Sequence, residues 1–200
     1  MKTTRSPAQR TTKADRTRAA ILASARRAFA DHGYDGAGVR AIAAGAGVTA
    51  MMVNRYFGSK EKLFGEVVAD CARDPVILSL SNLTTPDVAA SFAKALVGLT
   101  DKSESPLDGF LILFRSTSSE TAARIARERI AQTHQRAARS VIGGKDADAR
   151  AAIFLSFVAG LQMMRQMIRL DTLVDANPQR LAKIITPVIA AILDRPVASS

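Results

Sequence analysis

Four side chains that suit contacts with nucleic-acid bases follow Thr49 in this sequence. Val53 and Phe57 are four residues apart, a spacing that places both on one inward face of a short helix over 50–57. On the other faces, Asn and Arg can form paired hydrogen bonds with adenine and guanine edges, and Met can pack on the thymine methyl group. The pattern therefore predicts a helix that reads the DNA major groove, with the base-reading candidates Met51, Met52, Asn54 and Arg55.

The residues before this helix predict a second short helix and a tight turn that would position it. Val39–Gly45 directs Ile42 inward, and Gly47 in the following turn is free to adopt a positive φ. The Thr49 hydroxyl is placed to cap the reading helix. Together, 38–57 has the organisation of a helix-turn-helix.

Residues beside the reading helix are candidates for phosphate contacts. The Tyr56 hydroxyl and the Lys60 ammonium flank it, and Ser59 caps a further helix whose free amides also favour a phosphate. For Tyr56 the alternative is packing in the domain core. We assign Thr49, Tyr56 and Lys60 to the predicted DNA interface.

The charge of the chain is concentrated in its first third. The net charge is +10, of which residues 1–62 carry +8 with 12 basic and 4 acidic side chains. This asymmetry favours a polyanion-binding module on a nearly neutral body, although a membrane surface would also attract it. The longest apolar stretches, Ala151–Met164 and Ile184–Leu193, are shorter than a membrane span, so we expect no membrane partner.

Several function classes receive no support from the residue types present. A single cysteine, Cys71, excludes an internal disulfide and fits a reducing cytoplasm, where we expect the protein to lie with the nucleoid. The two histidines, His32 and His134, fall in different predicted domains, and no metal-ligand cluster, phosphate-binding glycine loop or nucleophile elbow is present. We expect no enzyme activity, no cofactor and no metal.

Helical periodicity runs along the whole chain, without strand-like alternation. A first helix beginning near Asp15 ends at Gly33, and about nine helices are predicted in total. Two of them are long: Ser119–Ile142, and Asp146–Leu170, where an apolar stripe from Phe154 to Ile168 repeats at spacings of three and four. The expected organisation is a basic disordered arm over 1–14, a DNA-binding domain over 15–74 and a helical C-terminal domain over 75–200. The fold class is therefore predicted to be all-α.

The region from Arg16 to Val68 closely resembles the N-terminal domain of TetR-family transcriptional regulators. Several motifs match at their family spacings, including Ile21-Leu22, Phe29, Gly33-Tyr34, Val39, Ile42-Ala43, Ala46-Gly47-Val48-Thr49, Tyr56-Phe57, Ser59-Lys60-Glu61 and Leu63-Phe64.

The chain departs from the family pattern at three places. The family commonly has a threonine or serine near Ala37 or Gly38 that caps the second helix and contacts a phosphate, and this chain lacks that hydroxyl. We assign Arg40 to the predicted DNA interface as the replacement for this contact, the alternative being a solvated side chain. Asn54 stands where a tyrosine is frequent, and Met51-Met52 stands where smaller residues are usual. The operator sequences of relatives therefore do not transfer to this chain.

The resemblance implies that the C-terminal domain forms a homodimer, and two apolar helices near the C-terminus support this. Packed against their symmetry mates they would form a four-helix bundle, and twofold symmetry implies a palindromic double-stranded operator. The alternative is that they form the core of one protomer. The predicted interface residues are Phe154, Phe157, Leu161, Met164, Ile168, Leu181, Ile185, Val188 and Ile192.

The resemblance also implies a pocket for a small apolar or amphipathic effector. The alternative for each phenylalanine, and for His134, is a place in the core. The candidate lining residues are Phe92, Phe110, Phe114, Arg115, His134, Phe154, Phe157, Gln162 and Arg165.

These observations favour a dimeric repressor that leaves its operator when an effector binds. The competing hypothesis is an architectural or partner-regulated DNA-binding protein without a small-molecule pocket.

Overall fold

The computed structural model describes residues 12–71, 79–100, 108–142 and 144–193, and within these ranges every regular element is a helix. The predicted all-α class is therefore confirmed. Two four-residue helices, α5 and α11, were not predicted. The helices are α1 (Lys13–Gly36), α2 (Val39–Gly45), α3 (Ala50–Phe57), α4 (Lys60–Cys71), α5 (Leu80–Leu83), α6 (Val88–Leu99), α7 (Asp108–Arg115), α8 (Glu120–Ile130), α9 (Arg136–Ile142), α10 (Ala147–Gln162), α11 (Asp171–Val174) and α12 (Pro178–Leu193).

Helix α1 begins earlier than the sequence pattern predicts. Thr12 is its N-cap, and the Thr12 hydroxyl accepts a hydrogen bond from the Asp15 amide at 3.1 Å. The Asp15 carboxylate in turn accepts hydrogen bonds from the Thr12 hydroxyl at 2.8 Å and the Thr12 amide at 2.9 Å, and these two bonds lower the pKa of Asp15 below its ordinary value. Residues 13 and 14, predicted to be disordered, are thus helical, and residues 1–11 lie outside the described ranges.

Two π-helical turns interrupt the long helices of the C-terminal half. Ala131–Gln135 joins α8 to α9, so the predicted helix over Ser119–Ile142 is present with Ser119 as its N-cap. Met163–Met167 extends α10. A π turn changes the angular position of all residues beyond it, so the apolar spacing of three and four is not maintained through it.

Two hydrophobic cores account for the packing. The first joins α1–α4 and includes Ile112 from α7 and Ala122 and Ile125 from α8. The second joins α6, α9, α10 and α12 around the contacting rings of Phe92 and Phe154. The first core thus includes residues on both sides of the predicted domain boundary at residue 74, which itself falls outside the described residues.

The helix over Ala147–Met167 is long and apolar enough, by length and composition, to cross a membrane. It lies within the predicted helix over Asp146–Leu170 and extends beyond the apolar stretch Ala151–Met164 at both ends. Ala151, Phe154 and Arg165 on this helix are buried inside the protomer. One side of the helix therefore belongs to the second core, and the Arg165 guanidinium donates its hydrogen bonds inside the protomer.

Candidate nucleic-acid interface

Helices α2 and α3 form the predicted helix-turn-helix, with the predicted bounds. Gly47 adopts φ +66° in the turn, and the Val48 amide donates to the Ala43 carbonyl at 3.0 Å. The Thr49 hydroxyl then accepts the Met52 amide at 3.4 Å, which caps α3. The local sequence therefore fixes both helices and the sharp change of direction between them.

Helix α3 is anchored on one face and open on the others. Val53 and Phe57 are buried in the first core, whereas Met51 is 81% exposed. Asn54 and Arg55 are also exposed, and within the described ranges neither side chain makes a hydrogen bond or ion pair. The exposed surface thus offers an amide, a guanidinium and a thioether, the groups that read base edges.

The remaining interface candidates take less open positions. Met52 and Tyr56 are half-buried, and Tyr56 packs partly against the first core. Arg40 is exposed on α2. The roles of these residues, and that of Thr49, in phosphate or base contacts remain predictions.

Lys60 lies at the start of α4 in an organised environment. Its ammonium is 4.7 Å from the centroid of the Tyr34 ring and donates to the Asp35 carbonyl at 3.4 Å. Burial raises the pKa of Tyr34, which keeps the phenol neutral under the ammonium. An ammonium has three protons, so a phosphate contact would use those that Asp35 leaves free.

Arg18 supports the reading helix, a role that the sequence did not reveal. Its guanidinium lies 4.9 Å from the centroid of the Phe57 ring and forms an ion pair with Glu66 of α4. It thereby connects α1, α3 and α4 at one point. The contact depends on three separate chain segments, so no local pattern could predict it.

A junction between α1 and the end of α7 is a second arrangement that the sequence missed. Gly33 has φ +65°, and a Cβ atom there would lie 2.3 Å from the Arg115 carbonyl oxygen. The next amide, that of Tyr34, donates to the Ser116 hydroxyl at 2.9 Å. The predicted end of the first helix at Gly33 is thus a kink, with helical residues continuing to Gly36.

Arg115 belongs to this junction. Its guanidinium donates to the Ala30 carbonyl and, at 3.2 Å, to the Asp31 carbonyl. These carbonyls lie just before the kink of α1, where helical hydrogen bonding is incomplete. Arg115, which the sequence predicted as an anchor for an effector, therefore holds α1 of the DNA-binding domain to α7.

The other pocket candidates do not gather around one cavity. Phe92 and Phe154 are fully buried against each other, and Phe110 stacks on Phe114 along α7. His134 has its pKa lowered by burial and shares a hydrogen bond of 3.1 Å with the Thr133 hydroxyl. Phe157 and Gln162 are half-buried.

Arg165 is buried as a structural connector, in place of its predicted role as an anchor in an open pocket. Its guanidinium donates to the Val97 carbonyl at 2.8 Å, to the Thr100 hydroxyl at 2.5 Å and to the Leu173 carbonyl at 3.0 Å. Carbonyls at a helix C-terminus lack helical partners, and a cation there is favourable. Arg165 therefore closes the end of α6.

The predicted interface residues divide between core and surface. Phe154, Leu181 and Ile185 are buried in the second core, so they are not available on the protomer surface. Phe157, Leu161 and Ile192 are half-buried. The exposed apolar residues on α10, on and just after its π turn, and on α12 include the predicted Met164, Ile168 and Val188 together with Ile153 and Ile184, which were not predicted.

Two family models match this chain. Residues 21–67 match the model described as bacterial regulatory proteins of the tetR family. Residues 79–193 match the model described as the tetracyclin repressor-like C-terminal domain. The fold and the exposed reading helix define a helix-turn-helix transcriptional regulator, and the chain belongs to the TetR family.

Two curated relatives match part of this chain. The HTH-type transcriptional repressor AcnR of Corynebacterium efficiens is 48% identical over 48 residues, 24% of this chain and 26% of that protein. AcnR of Corynebacterium glutamicum is 39% identical over 72 residues, 36% of this chain and 38% of that protein. The chain thus spans between a quarter and two fifths of the length of these relatives.

Solved structures match over nearly the whole chain. A TetR-family regulator from Streptomyces coelicolor has a TM-score of 0.63 and 25% identity, with 94% of this chain and 99% of that chain covered. GusR of Salmonella enterica has a TM-score of 0.70 and 14% identity, covering 92% and 98%. At the lower identity the likeness shows the fold alone.

Proposed function

We propose that this regulator is a dimeric repressor that binds a palindromic DNA operator through α3. The observation that carries the proposal is the open face of α3, where Met51, Asn54 and Arg55 project from a helix fixed by Val53 and Phe57. The basic excess of residues 1–62 supports attraction to the DNA backbone. The curated relatives are named as HTH-type transcriptional repressors.

Dimerisation is supported by the apolar surface that one protomer leaves open. Ile153 is 56% exposed, Ile168 is 64% exposed and Ile184 is 61% exposed. Exposed apolar residues concentrated on two helices are typical of a protein interface. A symmetric pair would cover them and place two reading helices on successive major grooves.

Release by a small effector, and action on the nucleoid within the cytoplasm, complete the proposal. Effector release is supported by a junction that connects the DNA-binding helices to α7. The junction consists of Gly33, Tyr34, Arg115 and Ser116. A ligand that favours one arrangement of this junction would change the orientation of the reading helices, and hence operator affinity.

The test is selection of bound sites from a random pool of double-stranded DNA, followed by titrations across a salt series. A palindromic consensus with half-sites about one helical turn apart would support the proposal. The double variant Asn54→Ala/Arg55→Ala should lose the consensus, whereas Arg136→Ala, an exposed control on α9, should keep it. Enrichment of no sequence, with steep salt dependence alone, would overturn it in favour of an architectural protein.

A further inference from the structure

A cleft of about 370 Å³ lies between the end of α7, the following turn and one face of α8. Ala123 and Ala126 of α8 and Ala131 of the following π turn form much of its wall, and their short side chains leave the space open. Leu113 and Ile130 add apolar walls. The volume is near the lower end for small-molecule pockets, and it suits a compact, mainly apolar ligand.

Two groups in the cleft point to the chemistry of such a ligand. Arg127 is the charged residue of the lining, and its guanidinium has no ion pair among the described residues. Ser116 is 3% exposed, and its hydroxyl accepts the Tyr34 amide but finds no acceptor for its own proton within the described part of the chain. Both groups can donate hydrogen bonds, so both favour an anionic acceptor.

We propose that this cleft is the effector site, and that its ligand is a small carboxylate with an aliphatic or aromatic body. This inference rests on the proposed function. The apolar body would occupy the alanine-lined face, and the carboxylate would accept hydrogen bonds from Arg127 and Ser116. None of the nine pocket residues predicted from the sequence lines this cleft.

The position of the cleft provides a direct route to the reading helix. Ser116 lines the cleft and also accepts the amide that follows Gly33. Arg115, one residue earlier, holds the carbonyls of Ala30 and Asp31. A ligand at Ser116 therefore acts on the turn that positions the end of α1, and only two residues separate that end from α2.

The test measures binding of octanoate and of 1-octanol by titration calorimetry to the full chain and to three variants. Arg127→Gln should weaken octanoate binding by roughly tenfold or more and leave octanol unchanged, because it removes a charge-assisted hydrogen bond. Ala126→Phe should abolish binding of both, because the ring fills the cleft. Arg136→Gln, an exposed arginine outside the lining, is the matched control and should behave as the unmodified chain.

Three results would overturn the proposal. The first is that no carboxylate from butanoate to decanoate shows saturable binding. The second is that the Arg127→Gln and Arg136→Gln variants bind octanoate equally well. The third is that Ala126→Phe binds octanoate as tightly as the unmodified chain does. If Ala126→Phe loses its helical circular dichroism, Ala123→Leu replaces it as the filling variant.

Operator binding separates this inference from the proposed function. Octanoate should release DNA from the unmodified chain and from Arg136→Gln, but not from Ala126→Phe. If the chain selects a palindromic site but stays bound to it in saturating octanoate, the proposal of an effector site in the cleft is wrong and the proposed repressor function stands. A chain that binds octanoate in the cleft but selects no DNA sequence overturns the proposed function alone.

Discussion

Single residues of the reading helix should differ in what they contribute to DNA binding. Replacing Asn54 or Arg55 by Ala should weaken discrimination at one base pair by about 1–3 kcal/mol, because a paired hydrogen bond to one base is lost. Titrations with every single-base variant of the selected operator would measure this. Equal weakening on all sequences would instead assign the residue to the backbone.

Lys60 should act through the phosphates. Lys60→Ala should weaken binding to all sequences alike and reduce the slope of log affinity against log salt by about one, because one counterion fewer is released. The ammonium also packs on the Tyr34 ring, so thermal unfolding must be followed in parallel. A change in base preference without a change in slope would contradict the assignment.

Gly33 and Gly47 form a matched pair for the α1 junction, since both have positive φ. Gly33→Ala should cost about 2–5 kcal/mol of unfolding free energy, because backbone strain adds to a clash with the Arg115 carbonyl. Gly47→Ala meets no atom within 4 Å and should cost about 1–2 kcal/mol. Chemical denaturation measures the unfolding free energy of both variants. Equal losses would show that the junction accommodates the added methyl group at no additional energetic cost.

At the scale of helices, Arg165 joins the end of α6 to the π turn after α10 and to α11. Arg165→Met should lower the unfolding free energy by about 2–4 kcal/mol, because the Val97 and Leu173 carbonyls would lose their buried partner. Arg136→Met, an exposed change of the same kind, should stay within about 0.5 kcal/mol. A similar small loss for both variants would refute the structural role of Arg165.

Helix bounds followed from the sequence where local chemistry sets them. Gly47 in the turn and the Thr49 hydroxyl as N-cap set the start of α3, and each acts on residues close to it in the sequence. The π turn at Met163–Met167 was not predictable in this way. Because it shifts the helix face, the predicted stripe from Phe154 to Ile168 divides between core and surface.

For the whole molecule, the exposed apolar surface of α10 and α12 should hold two protomers together. Ile184→Asp should weaken dimerisation roughly a hundredfold or more, since symmetry places two carboxylates in an apolar contact. Sedimentation velocity would show monomers, and operator affinity should fall with dimerisation. Lys183→Asp, an exposed neighbour, should remain dimeric, and a dimeric Ile184→Asp variant would place the interface elsewhere.

The sequence by itself determined the all-α class, the helix-turn-helix and the bounds of its two helices. These features depend on caps, a glycine turn and apolar spacing, all of which act over a few neighbouring residues. Only the tertiary structure decided the functions of Arg115 and Arg165 and the separation of core from surface on α10. Each of these depends on partners more than 60 residues away or on a shift in helix phase, and no local pattern records such contacts.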